Sequence, residues 1–447
     1  MMAKKDLKSF VCDSCGAQSA SWSGRCYSCG EWNTLQEQIS FTKNPSHSSK
    51  MATSTVAQNL KTDLPRLVSG MKDMDDIFGG GIVPGSVTLL AGQPGIGKST
   101  LLLQISNMIS KNDPVLYVSG EESAHQVSLR AKRLGVKSEN LKIANSNSTD
   151  QIVEEISSGG YQLVIVDSIQ TIACNDIPTS PGSISQITNS ANLLINVAKA
   201  KNCSIILVGH VTKEGNIAGP KVLEHIVDVV IQIEGDRYGG LKLVRAIKNR
   251  FGSTEETGIY EMLEDGFQVV DNPSAALLAE RQVSDGSIVF ATIEGNRPLL
   301  VEVQALVNKS SYGYPKRAAS GIDLNRVNLL VAMLEKRTKL NLSDSDIYIN
   351  IVGGIKITEP AVDLAICMAI ASASRNMQMA IDAVVFGEVG LSGEIRHVPY
   401  MEKRIAEATK LGFDGTIGPR LKNVKGPKDH RQIRDVKTAL NEFLKKG

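Results

Sequence analysis

The chain has no apolar segment long enough to cross a bilayer. Its best candidate, Ala361–Ala371, is short and carries Asp363, whereas a spanning helix needs about 20 apolar residues. A secretion signal is also missing, since Lys4, Lys5 and Lys8 are not followed by an apolar run. The cytoplasm is therefore the expected compartment, with no membrane partner. An excess of charge of one sign is lacking too. Lys and Arg number 49 against 47 Asp and Glu, a net of +2. Composition thus makes no case for nucleic acid, and any such contact must come from local basic patches. No internal repeat is seen. What is present is ordinary for a globular protein: 447 residues, 42% hydrophobic and 21% charged, enough for two or three domains.

The seven cysteines are distributed unevenly, with four in the first thirty residues. In a reducing compartment such clustering points to metal rather than disulfides. Cys12 and Cys15 form one Cys-x-x-Cys pair, and Cys26 and Cys29 a second. Each pair can wrap one side of a tetrahedral Zn²⁺, with Gly16 and Gly30 allowing the tight turns. Four thiolates leave no position for water, so the metal is expected to be structural. Trp22 and Trp32 are expected to pack on this small core. Cys174, Cys203 and Cys367 lie among apolar residues and are expected in cores.

Composition shifts divide the chain into a cysteine-rich unit (1–35), a polar linker (36–62), an α/β domain (63–271) and a further α+β domain (272–447). In the third region apolar strands alternate with amphipathic helices, which predicts an α/β fold with a parallel sheet. Strands are expected at Ser86–Ala91, Pro114–Ser119, Leu163–Asp167 and Ser204–Gly209. Helices are expected at Ser99–Ser110, after the second strand through Leu134, and at Ile184–Lys201. Asn272–Gln282 reads as a connector.

The chemistry concentrates at Gly92-Gln93-Pro94-Gly95-Ile96-Gly97-Lys98-Ser99-Thr100, which fits G-x-x-x-x-G-K-[ST] between a strand and a helix. The glycines let backbone amides curl around the phosphates of ATP, and the helix N-terminus adds its positive end. Lys98 is expected to reach the β- and γ-phosphates, Ser99 to ligate Mg²⁺ and Thr100 to lie nearer the α-phosphate. Asp167 ends an apolar strand and is expected to act on Mg²⁺ beside the γ-phosphate. Glu121 is favoured as the carboxylate that orients and deprotonates water, with Glu122 as the alternative. His210, at a strand's carboxyl end where ligands of open sheets bind, is expected to sense the γ-phosphate.

Several stretches resemble a known family. Leu67–Ile82, with its run Gly79-Gly80-Gly81, resembles the start of RecA-like and KaiC-like ATPase cores. Lys248-Asn249-Arg250-Phe251-Gly252 resembles the KNRFG signature of the RadA (Sms) family of bacterial DNA repair proteins, and Tyr312–Arg326 and the four-cysteine ribbon are similar to that family as well. The resemblance implies a RecA-like P-loop core in a DNA-dependent ATPase that processes recombination intermediates beside the RecA recombinase. It implies branch migration, helicase-like activity, single-stranded and branched DNA as partners, and homo-hexameric rings. By motif, Lys248 and Arg250 would complete a neighbouring subunit's ATP site. Lys213, in the loop Thr212–Pro220, would touch DNA, and so would Lys316 and Arg317 in a locally basic stretch that also holds Arg326. The C-terminal domain resembles that of Lon protease. Ala361 stands where the nucleophile is expected, with Lys403 near the expected lysine, so proteolysis is disfavoured. A KaiC-like signalling role is the other alternative.

Overall fold

The computed structural model describes residues 8–13, 17–19, 21–39, 53, 55, 65–211, 217–218, 222–235, 240–310, 313–421 and 429–446. The chain divides into two compact units, Met1–Asp63 and Leu64–Gly447.

The first unit is a three-stranded antiparallel sheet: β1 (Lys8–Cys12), β2 (Gln18–Ser19) and β3 (Leu35–Ile39), in the order β2-β1-β3. Its β3 runs four residues into the stretch read from sequence as linker. The core is small, with Cys12, Cys26 and Leu35 buried. The expectation for the tryptophans is overturned: Trp22 is 59% exposed and Trp32 68%. Thiols and one leucine fill the interior of so small a sheet, and the indoles remain outside.

The second unit opens with α1 (Lys72–Phe78) and then builds a ten-stranded sheet. Its strands are β4 (Val87–Gly92), β5 (Val115–Ser119), β6 (Leu141–Asn145), β7 (Leu163–Asp167), β8 (Ser204–Val211), β9 (Ile217–Ala218), β10 (Val229–Gly235), β11 (Leu241–Asn249), β12 (Thr257–Leu263) and β13 (Gly266–Val269). The order is β13-β12-β11-β10-β4-β8-β7-β5-β6, with β9 paired to β8. From β10 to β6 all neighbours are parallel, while β11 to β13 add an antiparallel edge. The parallel strands read as unbroken apolar runs because both faces are covered. Along β4, Leu89 joins one core and Leu90 the other. The helices are α2 (Lys98–Ile109), α3 (Ala124–Arg133), α4 (Thr149–Gly159), α5 (Ile184–Lys201) and α6 (Val222–Ile226). Ser123 caps α3 with a full capping box, which stops β5's turn and starts the helix.

Two sequence motifs meet through their glycines. A Cβ on Gly252 would lie 2.7 Å from Gly79 Cα, so the end of α1 and the turn after β11 touch backbone to backbone. Asn249 donates to Ile77 O at 2.9 Å across the same junction.

The expected connector holds a helix, α7 (Pro273–Leu278), with Asn272 accepting from Ala275 N at 3.1 Å and Pro at its first turn. A seven-stranded mixed sheet follows. It contains β14 (Ser287–Glu294), β15 (Arg297–Lys309), β16 (Arg317–Ser320) and β17 (Ser345–Ile351), then Ala383–Val385, Gly415–Gly418 and His430–Gln432. Helices α8 (Leu324–Thr338), α9 (Asp363–Arg375), α10 (Met401–Lys410) and α11 (Val436–Phe443) accompany it. The β14–β15 hairpin meets both α1 and the ten-stranded sheet: Arg297 reaches Asp73 on α1 at 2.8 Å, and Arg245 on β11 reaches Glu294 at 3.5 Å.

Around Ala361 the structure adds detail to the sequence reading. Ala361 is buried, and Lys403 turns to Asn296, meeting its Oδ1 at 2.6 Å. The inward cation is its neighbour Arg404, 1% exposed and flanked by Phe290 and Phe386. Arg404 pairs with Glu359 and also donates to the carbonyls of Ala291 and Pro399. Glu359 Oε1 accepts further from Thr292 Oγ1 at 2.6 Å and Ile293 N at 3.0 Å. Removing one partner of such a pair leaves a buried charge unmatched, at a cost of roughly 3–5 kcal/mol. Glu359→Ala is therefore expected to lower unfolding stability by that order in urea titrations of the full chain, while the exposed Glu402→Ala changes it by less than about 0.5 kcal/mol.

Candidate active site

The register of the parallel strands assembles the site. Gly92 closes β4 opposite His210 on β8 and Ile233 on β10, and Ser119 closes β5 opposite Asp167 on β7. The carboxyl ends of five strands therefore surround one loop. Within it Gly95 (φ 81°) and Gly97 (φ 108°) hold left-handed backbone that other residues resist. Gly97 also has no room for a side chain, since a Cβ would lie 2.6 Å from the Phe267 ring. Ile96 is anchored in the core, whereas Pro94 and Gly95 are exposed. Helix α2 begins at Lys98, and its first amides face the loop with no side-chain cap. That is the arrangement of an anion site at a helix N-terminus.

Lys98 is buried and donates to the carbonyls of Gly92 at 2.8 Å and Gln93 at 3.0 Å. Burial pulls its ammonium down to about 8, against the pull of Asp167 and Glu121. Ser99 Oγ donates to Asp167 Oδ2 at 2.7 Å, and the Tyr117 hydroxyl donates to the same oxygen at 2.6 Å. Tyr117 was not singled out in the sequence. It sits mid-strand in an apolar run, and only the β5–β7 pairing puts its hydroxyl beside Asp167. Burial, then the charge of Asp167, keep that phenol protonated far above its ordinary range.

The two acidic residues after β5 diverge. Glu122 pairs with Arg130 on α3 at 2.5 Å. Glu121 turns inward, where Oε1 accepts from Ser168 Oγ at 2.7 Å and lies 3.3 Å from His210 Nε2. Burial opposes its ionisation, but Ser168, His210 and the Lys98 charge outweigh that and hold it below the usual carboxylate range. Lys98, Ser99, Glu121, Asp167 and His210 thus form one constellation. It can cradle a triphosphate, hold a hydrated divalent cation through Ser99 and Asp167, and present a carboxylate to water.

Lys248 and Arg250 do not join it within the chain. Val229 pairs with Thr88 and with Asn249, while Ile233 pairs with Gly92. The motif therefore stands at the opposite edge of the sheet, four residues or about 13 Å along the strands. There Lys248 donates to the carbonyls of Glu224 and Val227 at 2.8 and 2.7 Å, and Arg250 reaches Asp228 at 3.0 Å while its side chain stays 51% exposed. Lys213 lies outside the described residues. Lys316 is exposed, and Arg317 on the edge strand β16 meets Asn328 at 3.3 Å. Arg326, counted above among the basic residues, is engaged with the fully buried Asp363.

A cleft of about 600 Å³ adjoins the phosphate loop on its β10 side. Gln93 and Ile96 of the loop, Glu234 and Arg245 of the first sheet, and Glu294 with Lys356 and Glu359 line it. Arg245 bridges Glu234 at 2.7 Å and Glu294. Burial raises Glu294 to about 7, against the pull of Arg245.

In the cysteine-rich unit the sulfurs of Cys12, Cys26 and Cys29 all lie within 4.8 Å of one another, with Cys12 and Cys29 3.6 Å apart. Tetrahedral Zn²⁺ with Zn–S near 2.3 Å separates its sulfurs by about 3.8 Å, so the donor set fits zinc. Backbone amides of Cys29 and Ser28 favour the thiolate of Cys26. Cys15, the fourth expected ligand, lies outside the described residues.

Comparison with known proteins agrees with these features. The AAA domain family matches residues 54–216, the rubredoxin metal binding domain family residues 10–37, and the family described as subunit ChlI of Mg-chelatase residues 323–422. DNA repair protein RadA of Bacillus subtilis is 46% identical over 429 residues, spanning 94% of this chain and 93% of its own. DNA repair protein RadA of Halalkalibacterium halodurans is 44% identical over 434 residues, 95% of this chain and 94% of its own. The Escherichia coli protein of the same name is 42% identical over 457 residues, 99% of each. With the phosphate loop, the cysteine ribbon and near full-length identity in agreement, the chain belongs to the RadA family of DNA repair proteins.

Proposed function

We propose that the chain is a DNA-dependent ATPase of recombinational repair that acts in the cytoplasm as a homo-hexamer. In this reading it works beside the RecA recombinase on single-stranded and branched DNA, driving branch migration with helicase-like activity. One observation carries it: five residues of the ATP site converge on one loop, while Lys248 and Arg250 stand at the other edge of the sheet. A cation at that edge is suited to reach the site of the next copy, where it would stabilise the charge of phosphoryl transfer and link turnover to subunit movement. Residues 63–271 are read as the motor and 272–447 as an assembly and DNA-binding platform. A buried Ala361 where a nucleophile would be expected, and an inward Arg404 held by Glu359, speak against peptide cleavage.

In the proposed mechanism the loop amides and Lys98 bind the β- and γ-phosphates, and Ser99 and Asp167 would hold a magnesium ion. When bound, magnesium neutralises phosphate charge. Tyr117 keeps Asp167 in place, Glu121 takes the proton of the attacking water, and His210 reads the γ-phosphate. The cleft lined by Gln93, Ile96 and Arg245 would receive the nucleoside half. ATP would then touch both sheets of the second unit, which couples its presence to the platform.

Hydrolysis is expected to rise on adding single-stranded DNA, and Lys98→Ala is expected to abolish it while leaving the circular dichroism spectrum unchanged. DNA affinity should fall steeply with salt, because phosphate contacts release counterions. A rate indifferent to every DNA tested would favour the signalling alternative. Arg250→Ala should bind ATP within about two-fold of wild type yet turn over at least ~10³-fold more slowly. Mixtures with wild type should hydrolyse less than additively, and strictly additive rates would remove the trans role. Cys26→Ser should lose one zinc per chain by elemental analysis and keep its basal hydrolysis, because the second unit has its own core.

A further inference from the structure

We propose that Ser168 is a positioning residue for the hydrolytic step, aiming the Glu121 carboxylate at the attacking water; this rests on the reading of Glu121 as the group that activates that water. Ser168 follows Asp167 at the end of β7 and is completely buried. Its hydroxyl has one acceptor among the described residues, Glu121 Oε1 at 2.7 Å. The side chain of Glu121 is 43% exposed. A buried hydroxyl therefore holds a carboxylate that would otherwise sweep through solvent on three rotatable bonds. Ser168 and His210 both meet Oε1, and no hydrogen bond to Oε2 is made among the described residues. Oε2 is left to accept from water.

The backbones at both ends of this bond are fixed without the bond itself. On one side, Ile169 N donates to Val208 O at 3.0 Å, tying the turn to β8. Thr171 closes the turn, its Oγ1 donating to Ser168 O at 2.8 Å. On the other side, Gly120 N donates to Asp167 O at 2.8 Å, and a Cβ on Gly120 would lie 2.3 Å from Thr171 Oγ1. Only glycine lets the chain pass so close before Glu121. Ser119 Oγ then accepts from Glu122 N at 2.8 Å and shapes the turn. The serine is thus set by the scaffold, and the glutamate is set by the serine. A misplacement of about 1 Å in such a group can cost on the order of 100-fold in rate.

The test uses the full-length protein with Mg-ATP and single-stranded DNA. Ser168→Ala should lower kcat by about 10-fold or more, the scale of one hydrogen bond to a charged group. KM for ATP, and Kd for a fluorescent ATP analogue, should stay within about two-fold of wild type. Ser168→Cys, close in volume and still a weak donor, should recover part of kcat, and it carries the comparison if the alanine variant loses ATP binding. In the Glu121→Gln background, Ser168→Ala should cost nothing further. Wild-type kcat in Ser168→Ala, or an equal loss in both backgrounds, overturns the proposal and leaves Ser168 a packing residue. Wild-type kcat in Glu121→Gln instead overturns the assignment of Glu121 on which it rests.

Discussion

A carboxylate that ends a strand buried on both faces has to be met by donors, and Asp167 is that carboxylate. Only 8% of it is exposed, and one of its oxygens accepts both Ser99 Oγ and the Tyr117 hydroxyl. These donors come from α2 and β5, and Asp167 itself from β7. Satisfying one buried charge thereby fixes the phosphate loop's helix against two strands, which low dielectric makes costly to undo. The next residue, Ser168, extends the same logic to Glu121. The second carboxylate of the site is set by the turn that the first begins.

The motif carrying Lys248 and Arg250 follows a different logic. Within the chain its members serve the fold: Lys248 satisfies carbonyls at the end of α6, Asn249 reaches back to α1, and Gly252 lies against Gly79. Arg250 differs in that half of its side chain stays in solvent despite its contact with Asp228. A half-exposed guanidinium is the member of the motif best placed to exchange one carboxylate partner for another charge. The region around Ala361 shows the opposite outcome. Its cation and carboxylate are both fully committed to each other and to backbone, which builds rigidity where a nucleophile would need access. The cleft beside the phosphate loop lies between these two regimes, with the Arg245 cluster at the join of the two sheets.

The sequence by itself determined the phosphate loop, the buried parallel strands and the paired cysteines, because each is a local pattern with a local cause. The apolar run Leu163–Val166 ending in Asp167 reads as a buried strand, and Gly95, Gly97 and Lys98 take their meaning from spacing between a strand and a helix. It favoured Glu121 over Glu122 without revealing what separates the two. Arg130, eight residues on, takes Glu122, and Ser168, forty-seven residues on, takes Glu121. The weakly patterned edge strand β6 and helix α4 escaped notice because their apolar positions are few, and α7 was hidden by its shortness despite its Asn272 and Pro273 start signals. Tertiary structure alone decided that Tyr117 serves Asp167, that Trp22 and Trp32 stay in solvent, and that Arg404 rather than Lys403 turns inward. The physical reason is common to all three. A side chain's local propensity is blind to which strand or helix will lie beside it, and burial, pairing and exposure are set by that neighbour.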